Sequence, residues 1–94
     1  MKIVIEPFAE AALLEIALFI ESQNTPGSGK RWVKRFKTFI KRYAKPNIQY
    51  ALCNHLRLAQ MLYSCVHYGN LTVAFRIERK RFVIYEVIPS SMLY

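Results

Sequence analysis

The sequence predicts an α+β domain: a two-layer sandwich of order β-α-α-β-β-β, with a helical hairpin packed on a mainly antiparallel four-stranded sheet. Three observations predict it. A β-branched run opens the chain. Two stretches with apolar residues at helical spacing follow, separated by a turn. The last third then switches to a period of two around two turn signals. A helical stripe needs a sheet to bury it, and a meander needs one face covered, so a sandwich is the economical solution.

Ile3-Val4-Ile5, within Lys2 to Glu6, suits a well-buried strand. Pro7 ends it, and proline is tolerated in the first turn of a helix. Ala9, Leu13, Ile16 and Ile20 repeat at i, i+4, i+7 and i+11, widened by Ala12 and Phe19, which predicts a helix from Phe8 to Gln23. Glu6 and Glu10 sit near its start, where the positive end of the helix favours carboxylates. Thr25-Pro26-Gly27-Ser28-Gly29 forces a turn. A second helix follows from Lys30 to Lys45, with Trp32, Val33, Phe36, Phe39, Ile40 and Tyr43 as its apolar, core-facing side. Pro46 stops it.

Asn47 to Leu58 carries no clear period, and Cys53-Asn54-His55 looks like a loop or strand entry. From about Gln60 the period is two. Gly69-Asn70 lies between two strand-like runs and signals a two-residue hairpin. Leu71, Val73, Phe75 and Ile77 then alternate with Thr72, Ala74, Arg76 and Glu78. Arg79-Lys80 is a charged turn. Arg81 to Ile88 is the last strand, with Phe82, Ile84 and Ile88 on one face and Val83, Tyr85 and Val87 on the other. Apolar residues on both faces mark an interior strand, or one whose second face a partner covers.

A chain of 94 residues holds one domain and one core, spanning 1–94, and 53% hydrophobic residues exclude disorder. No apolar run reaches the length of a membrane span, because Glu10, Glu15 and Glu21 interrupt the longest. The start is too short in apolar residues for a signal peptide. The expectation is a cytoplasmic protein with no membrane association, in which Cys53 and Cys65 are free thiols.

Fourteen Lys and Arg against six Asp and Glu give a net charge of +8 and predict attraction to polyanions. The charge concentrates on the second helix, where Lys30, Arg31, Lys34, Arg35, Lys41 and Arg42 form the candidate polyanion- or partner-binding set. A charge run is usually a solvated face, but here no acidic residue offsets it. Nucleic acid and an acidic protein segment both fit. Arg57, Arg76, Arg79, Lys80 and Arg81 gather on or near the meander. Charged residues also protect strand edges, which is the simpler account of them. Cys53-x-His55 and Cys65-x-His67 repeat one spacing and could hold zinc tetrahedrally, yet Cys-x-His is not a finger spacing. Two buried cysteines are the favoured reading, with no metal and no cofactor. His67 could act as a lone general base, although a strand-end histidine is more often structural. Tyr68 could stack on a base, but a tyrosine before a turn commonly packs at the sheet end.

Three segments carry a family resemblance. Pro7-Phe8-Ala9-Glu10-Ala11-Ala12-Leu13-Leu14-Glu15-Ile16 opens the first helix. Gly69-Asn70-Leu71-Thr72-Val73-Ala74-Phe75-Arg76-Ile77 is a turn followed by a strand. Phe82-Val83-Ile84-Tyr85-Glu86-Val87-Ile88 is the last strand. In order and spacing, over nearly the whole chain, they resemble the RelE/ParE toxin superfamily of bacterial toxin–antitoxin (plasmid stabilisation) systems.

The resemblance implies a toxin neutralised by a cognate acidic antitoxin, with the ribosome and its RNA or DNA gyrase as targets and a homodimer as one further state. It assigns no catalytic residue: Arg76 and Tyr94 match family positions, and with Arg57, His67 and Arg81, named from the sequence itself, they are the candidates. The ribonuclease branch of the family places an Arg where Thr72 stands, and a His- or Arg-containing segment where the chain continues from Pro89 to Tyr94. Cutting RNA through its 2′-hydroxyl needs a base, an acid for the leaving oxygen and cations for the extra phosphate charge. Those two departures favour inhibition by binding. A ribosome-dependent endoribonuclease and a small basic nucleic-acid-binding module are the alternatives.

Overall fold

A computed structural model describes residues 1–93. Its elements are β1 (Lys2–Ile5), α1 (Pro7–Gln23), α2 (Ser28–Lys41), α3 (Leu56–Gln60), β2 (Ser64–Tyr68), β3 (Leu71–Glu78) and β4 (Arg81–Pro89), followed by a 3-10 turn at Ser90–Leu93. The four strands form one sheet in the order β1-β4-β3-β2. β1 runs parallel to β4, and the β2-β3-β4 meander is antiparallel. The helical hairpin covers one face, as the sequence predicts.

The hairpin buries Ala9 and Leu13 of α1 and Phe36 and Ile40 of α2 against Val66, Leu71, Val73, Phe75, Phe82, Ile84 and Val87 of the sheet. All of these positions except Val87 follow from a helical or strand period. Trp32, Phe39 and Tyr43 are half-buried at the margin of this core. β1 lies at a sheet edge, so Ile3, Val4 and Ile5 are half-buried and not enclosed.

The second helix begins earlier and ends earlier than its sequence suggests. Ser28 and Gly29 belong to α2, after Gly27 in the left-handed conformation at φ 87°. The Glu21 carboxylate at the end of α1 accepts from the Gly27 and Gly29 N–H groups at 2.7 and 2.9 Å, satisfying donors that a helix start leaves orphaned. The same contacts hold that carboxyl below its ordinary range, with Arg31 and Lys30 adding to the effect. Gly29 is also where the helices come closest: a Cβ there would lie 2.5 Å from the Ala17 carbonyl oxygen. At the other end, Arg42 and Tyr43 donate to the carbonyls of Phe39 and Ile40, three residues back, and close the helix before Pro46.

The hairpin turns behave as their residues require. Gly69 takes φ 59° at the first central position of the β2-β3 turn, as in a primed hairpin turn. Arg79 and Lys80 both take positive φ, at 50° and 61°. The last strand departs from strict alternation. Ala74 pairs with Glu86 and Phe75 pairs with Ile84, which leaves Tyr85 as a bulge on β4. The bulge swaps the faces beyond it. Val87 joins Phe82 and Ile84 under the helices, while Ile88 joins Tyr85 on the outer face.

That outer face is covered by the chain itself. The stretch with no clear period crosses it, buries Cys53, Leu58 and Tyr63 against Ala74, and forms the short helix α3 on the way. Leu93 adds to the cover. Cys53 and Cys65 are joined in a disulfide, with their Cα atoms 5.1 Å apart, which overturns the expectation of two free thiols. The crossing segment brings Cys53 onto β2, a contact that no local pattern announces. No helix among the described residues is long and apolar enough to cross a membrane.

Candidate functional site

The alternation of β3 sets Thr72, Ala74, Arg76 and Glu78 on the outer face, and the β4 bulge adds Tyr85 and Glu86 side by side. Around the bulge these groups form a polar cluster. Tyr85 donates its hydroxyl proton to Glu78, and Arg76 donates to Glu78 at 3.3 Å and to the Tyr85 oxygen at 3.4 Å. The Arg76 guanidinium lies 5.1 Å from the Tyr85 ring centre and 5.9 Å from that of Tyr63. The two rings stack at 5.0 Å. Arg57, carried by α3, makes a two-pronged contact with Glu86 at 3.1 Å on each prong. The Tyr85 hydroxyl and then Arg76 hold the Glu78 carboxyl below its ordinary range, and the bond to Glu78 holds the Tyr85 phenol up.

Among the five catalytic candidates, the structure thus brings Arg57 and Arg76 to either side of one tyrosine pair, each engaged by a carboxylate. Arg81 starts β4 opposite Glu78 and is exposed. His67 lies on the same face but on edge strand β2, where its Nδ1 sits 3.2 Å from the Thr72 hydroxyl. Thr72 is itself 2.8 Å from the Ser90 hydroxyl. Tyr94 lies outside the described residues. Tyr63, Tyr85, Glu78, Glu86 and Ser90 were not among the sequence candidates. Arg76 and Glu78 at i and i+2 share a face by periodicity alone, but nothing in the sequence marks the bulge that adds Tyr85 and Glu86.

Toward β2 the crossing segment leaves a cavity of about 600 Å³. Its walls combine Leu52, Leu56, Leu58 and Leu93 with His55, His67, Thr72, Ser90 and the Cys53–Cys65 disulfide. His55 Nδ1 is buried there without a hydrogen-bond partner. The two Cys-x-His pairs do meet at one place, but their sulfurs are bonded to each other. Among the described residues no group of three or more His, Cys, Asp or Glu is gathered to hold a metal ion.

The basic helix divides into parts. Lys34, Arg35 and Arg42 border a shallow groove floored by Phe39 and Tyr68. Tyr68 packs on Phe36 and Phe39 with ring centres 5.6 and 4.8 Å away, which fixes it at the sheet end. Lys41 faces the β1 side with Lys37. Arg31 is turned to the interhelical turn, donating to the Thr25 hydroxyl at 3.1 Å, and Lys30 lies beside Glu21. The salt bridges among the described residues are Arg57–Glu86 and Arg76–Glu78, so no cation of α2 is paired with a carboxylate.

The exposed side of α1 carries several large apolar residues, interspersed with exposed Glu10 and Glu15. Phe8 is 73% exposed, Leu14 59%, Leu18 60% and Phe19 66%. With Ala11 they follow helical spacing along one face. The outer surface of the hairpin therefore presents an apolar stripe on one helix and unpaired cations on the other. No protein-family model matches the chain, and no curated protein matches its sequence.

Proposed function

We propose that this chain is the toxin component of a bacterial type II toxin–antitoxin system of the RelE/ParE kind, acting by binding a macromolecular target and neutralised by a small acidic antitoxin. The observation that carries the reading is the outer surface of the helical hairpin. A soluble chain rarely leaves large apolar side chains exposed in a row unless a partner covers them. Here Leu14 and Leu18 lie on the helix next to Lys34, Arg35 and Arg42, none of which has an internal counter-charge. An acidic segment with its own apolar stripe would cover the first and neutralise the second.

Binding is preferred over RNA cleavage because the two arginines beside the tyrosine pair are committed. Arg57 and Arg76 neutralise Glu86 and Glu78. A transition-state phosphate would have to compete with both carboxylates.

The test is co-purification of the chain with its neighbouring reading frames. A small acidic protein should come with it, and Leu14→Glu with Leu18→Glu should release that protein while leaving the melting temperature of the chain within a few degrees. Recovery of nucleic acid alone would replace this reading with that of a basic nucleic-acid-binding module. Cuts in ribosome-bound mRNA on addition of the antitoxin-free protein would replace it with the endoribonuclease.

A further inference from the structure

We propose that the cavity beside β2 is a docking and exchange site for a low-molecular-weight thiol, with the Cys53–Cys65 disulfide as the group it reacts with. A disulfide open to entering molecules is the more easily exchanged kind. This one forms part of the wall of a cavity of about 600 Å³. Both cysteines line the cavity, and Cys65 is the more exposed residue of the two, so the first attack is assigned to Cys65.

The walls suit such a molecule. Leu52, Leu56 and Leu93 receive its carbon skeleton, and Ser90, Thr72 and the two imidazoles supply polar contacts. Cys65 and His67 are i and i+2 on one strand and share a face, so His67 stands beside the point of attack. In the tautomer whose Nδ1–H donates to the Thr72 hydroxyl, Nε2 is free to take a proton. His55, two residues after Cys53, has a buried Nδ1 that no protein group satisfies.

The exchange balances without any other reactant. The thiol RSH gives its proton to His67 and attacks Cys65 Sγ as the thiolate. The RS–Sγ bond forms while the Sγ–Sγ bond breaks, and its electron pair leaves on Cys53 as a thiolate, which a neighbouring imidazolium stabilises. A second RSH attacks the sulfur of the first and releases RSSR. The net change reduces the protein disulfide to two thiols and oxidises two RSH to RSSR. In a reducing compartment the pair is then a redox couple and not a permanent staple.

The experiment uses reduced glutathione as the probe thiol, with acid quenching and intact-mass and peptide mass spectrometry. The oxidised protein is exposed to it folded at pH 7 and, separately, unfolded in urea. A buried staple reacts faster unfolded; a docking site reverses the order. We expect the folded protein to react at least about tenfold faster, with the first adduct on Cys65, because docking and a local base both raise the thiolate's effective reactivity. His67→Ala should slow the folded reaction and move its pH profile upward, leaving the urea reaction unchanged. A folded rate at or below the unfolded one, a first adduct on Cys53, or a His67→Ala protein with an unchanged pH profile would overturn the proposal.

Discussion

The Tyr85 proton donated to Glu78 ties together two groups that titrate at opposite ends of the pH scale. Glu78 is held below its ordinary value near 4.5, chiefly by the Tyr85 hydroxyl and then by Arg76. The unfolded carboxyl therefore binds its proton first as pH falls. The contribution is present above about 4.5 and is lost as pH drops through the lower folded value. Tyr85 is held above its ordinary value of 10.0, so its contribution is full below that and is lost as pH rises through the folded value. The melting temperature of Glu78→Gln should vary less than the parent's between pH 5 and 3, while Tyr85→Phe flattens both limbs. Equal acid limbs in parent and Glu78→Gln would show that the carboxylate carries no such load. Arg57 bears on stability less. Its side chain is 53% exposed, so despite the two-pronged contact with Glu86, Arg57→Ala should cost no more than about 1 kcal/mol.

At the scale of elements, the clearest constraint is the closest point between α1 and α2. A methyl at Gly29 would stand 2.5 Å from the Ala17 carbonyl, a backbone atom that cannot swing aside. Gly29→Ala should therefore destabilise by about 1–3 kcal/mol in spite of alanine's better helix propensity, as urea unfolding would measure. A neutral or stabilising effect would mean that the helices can separate freely. The same residue shows where the sequence stops being legible. Gly27-Ser28-Gly29 reads as a turn because glycine is a poor helix former, and only the Glu21 carboxylate from the other helix turns two of the three into a first helical turn. The apolar stripes of α1 and α2 and the alternation of β3 were readable, since each period is local, except that Phe19, expected on the core stripe, is 66% exposed. The β4 bulge was not, because a single unpaired residue leaves the composition of a strand unchanged, and it transferred Val87 and Ile88 to opposite faces from those expected. The candidate site suffered most from this. Arg57 and Arg76 could be named, but the tyrosine pair between them and the carboxylates that hold them depend on the bulge and on α3. The basic face of α2 is readable as composition, and its division is not: Arg31 serves the turn, while Lys34, Arg35 and Arg42 border one groove. Replacing those three by Ala should markedly lower the salt needed to elute the protein from heparin, and replacing Arg31 should lower it less. The reverse order would place the polyanion footprint at the turn.

For the whole molecule the governing fact is that a domain of 94 residues carries a second, smaller cluster on its outer face under an irregular segment. That segment leaves Leu52, Leu56, Met61 and Leu62 largely exposed and, besides the cross-linked Cys53, buries only Leu58 and Tyr63 deeply. Apolar burial alone is a thin reason for it to stay, so the cross-link carries a large share of the work. The disulfide spans a sequence separation of 12, and restricting the unfolded chain over a loop of that length is worth about 3 kcal/mol. At about 4–8 °C per kcal/mol for a domain of this size, removing it should lower the melting temperature by about 12–24 °C. Cys53→Ser with Cys65→Ser, compared with the oxidised parent by calorimetry, measures this, and the reduced parent should melt near the double variant. Leu58→Ala distinguishes the two anchors. Its side chain is fully buried, and its loss should cost about 2–5 kcal/mol with the disulfide intact. If the serine pair melts within a degree or two of the oxidised parent while Leu58→Ala falls steeply, packing alone holds the segment down. If both fall, cross-link and packing share the load, and the outer face with Arg57 and its cavity depends on the oxidation state of one cysteine pair.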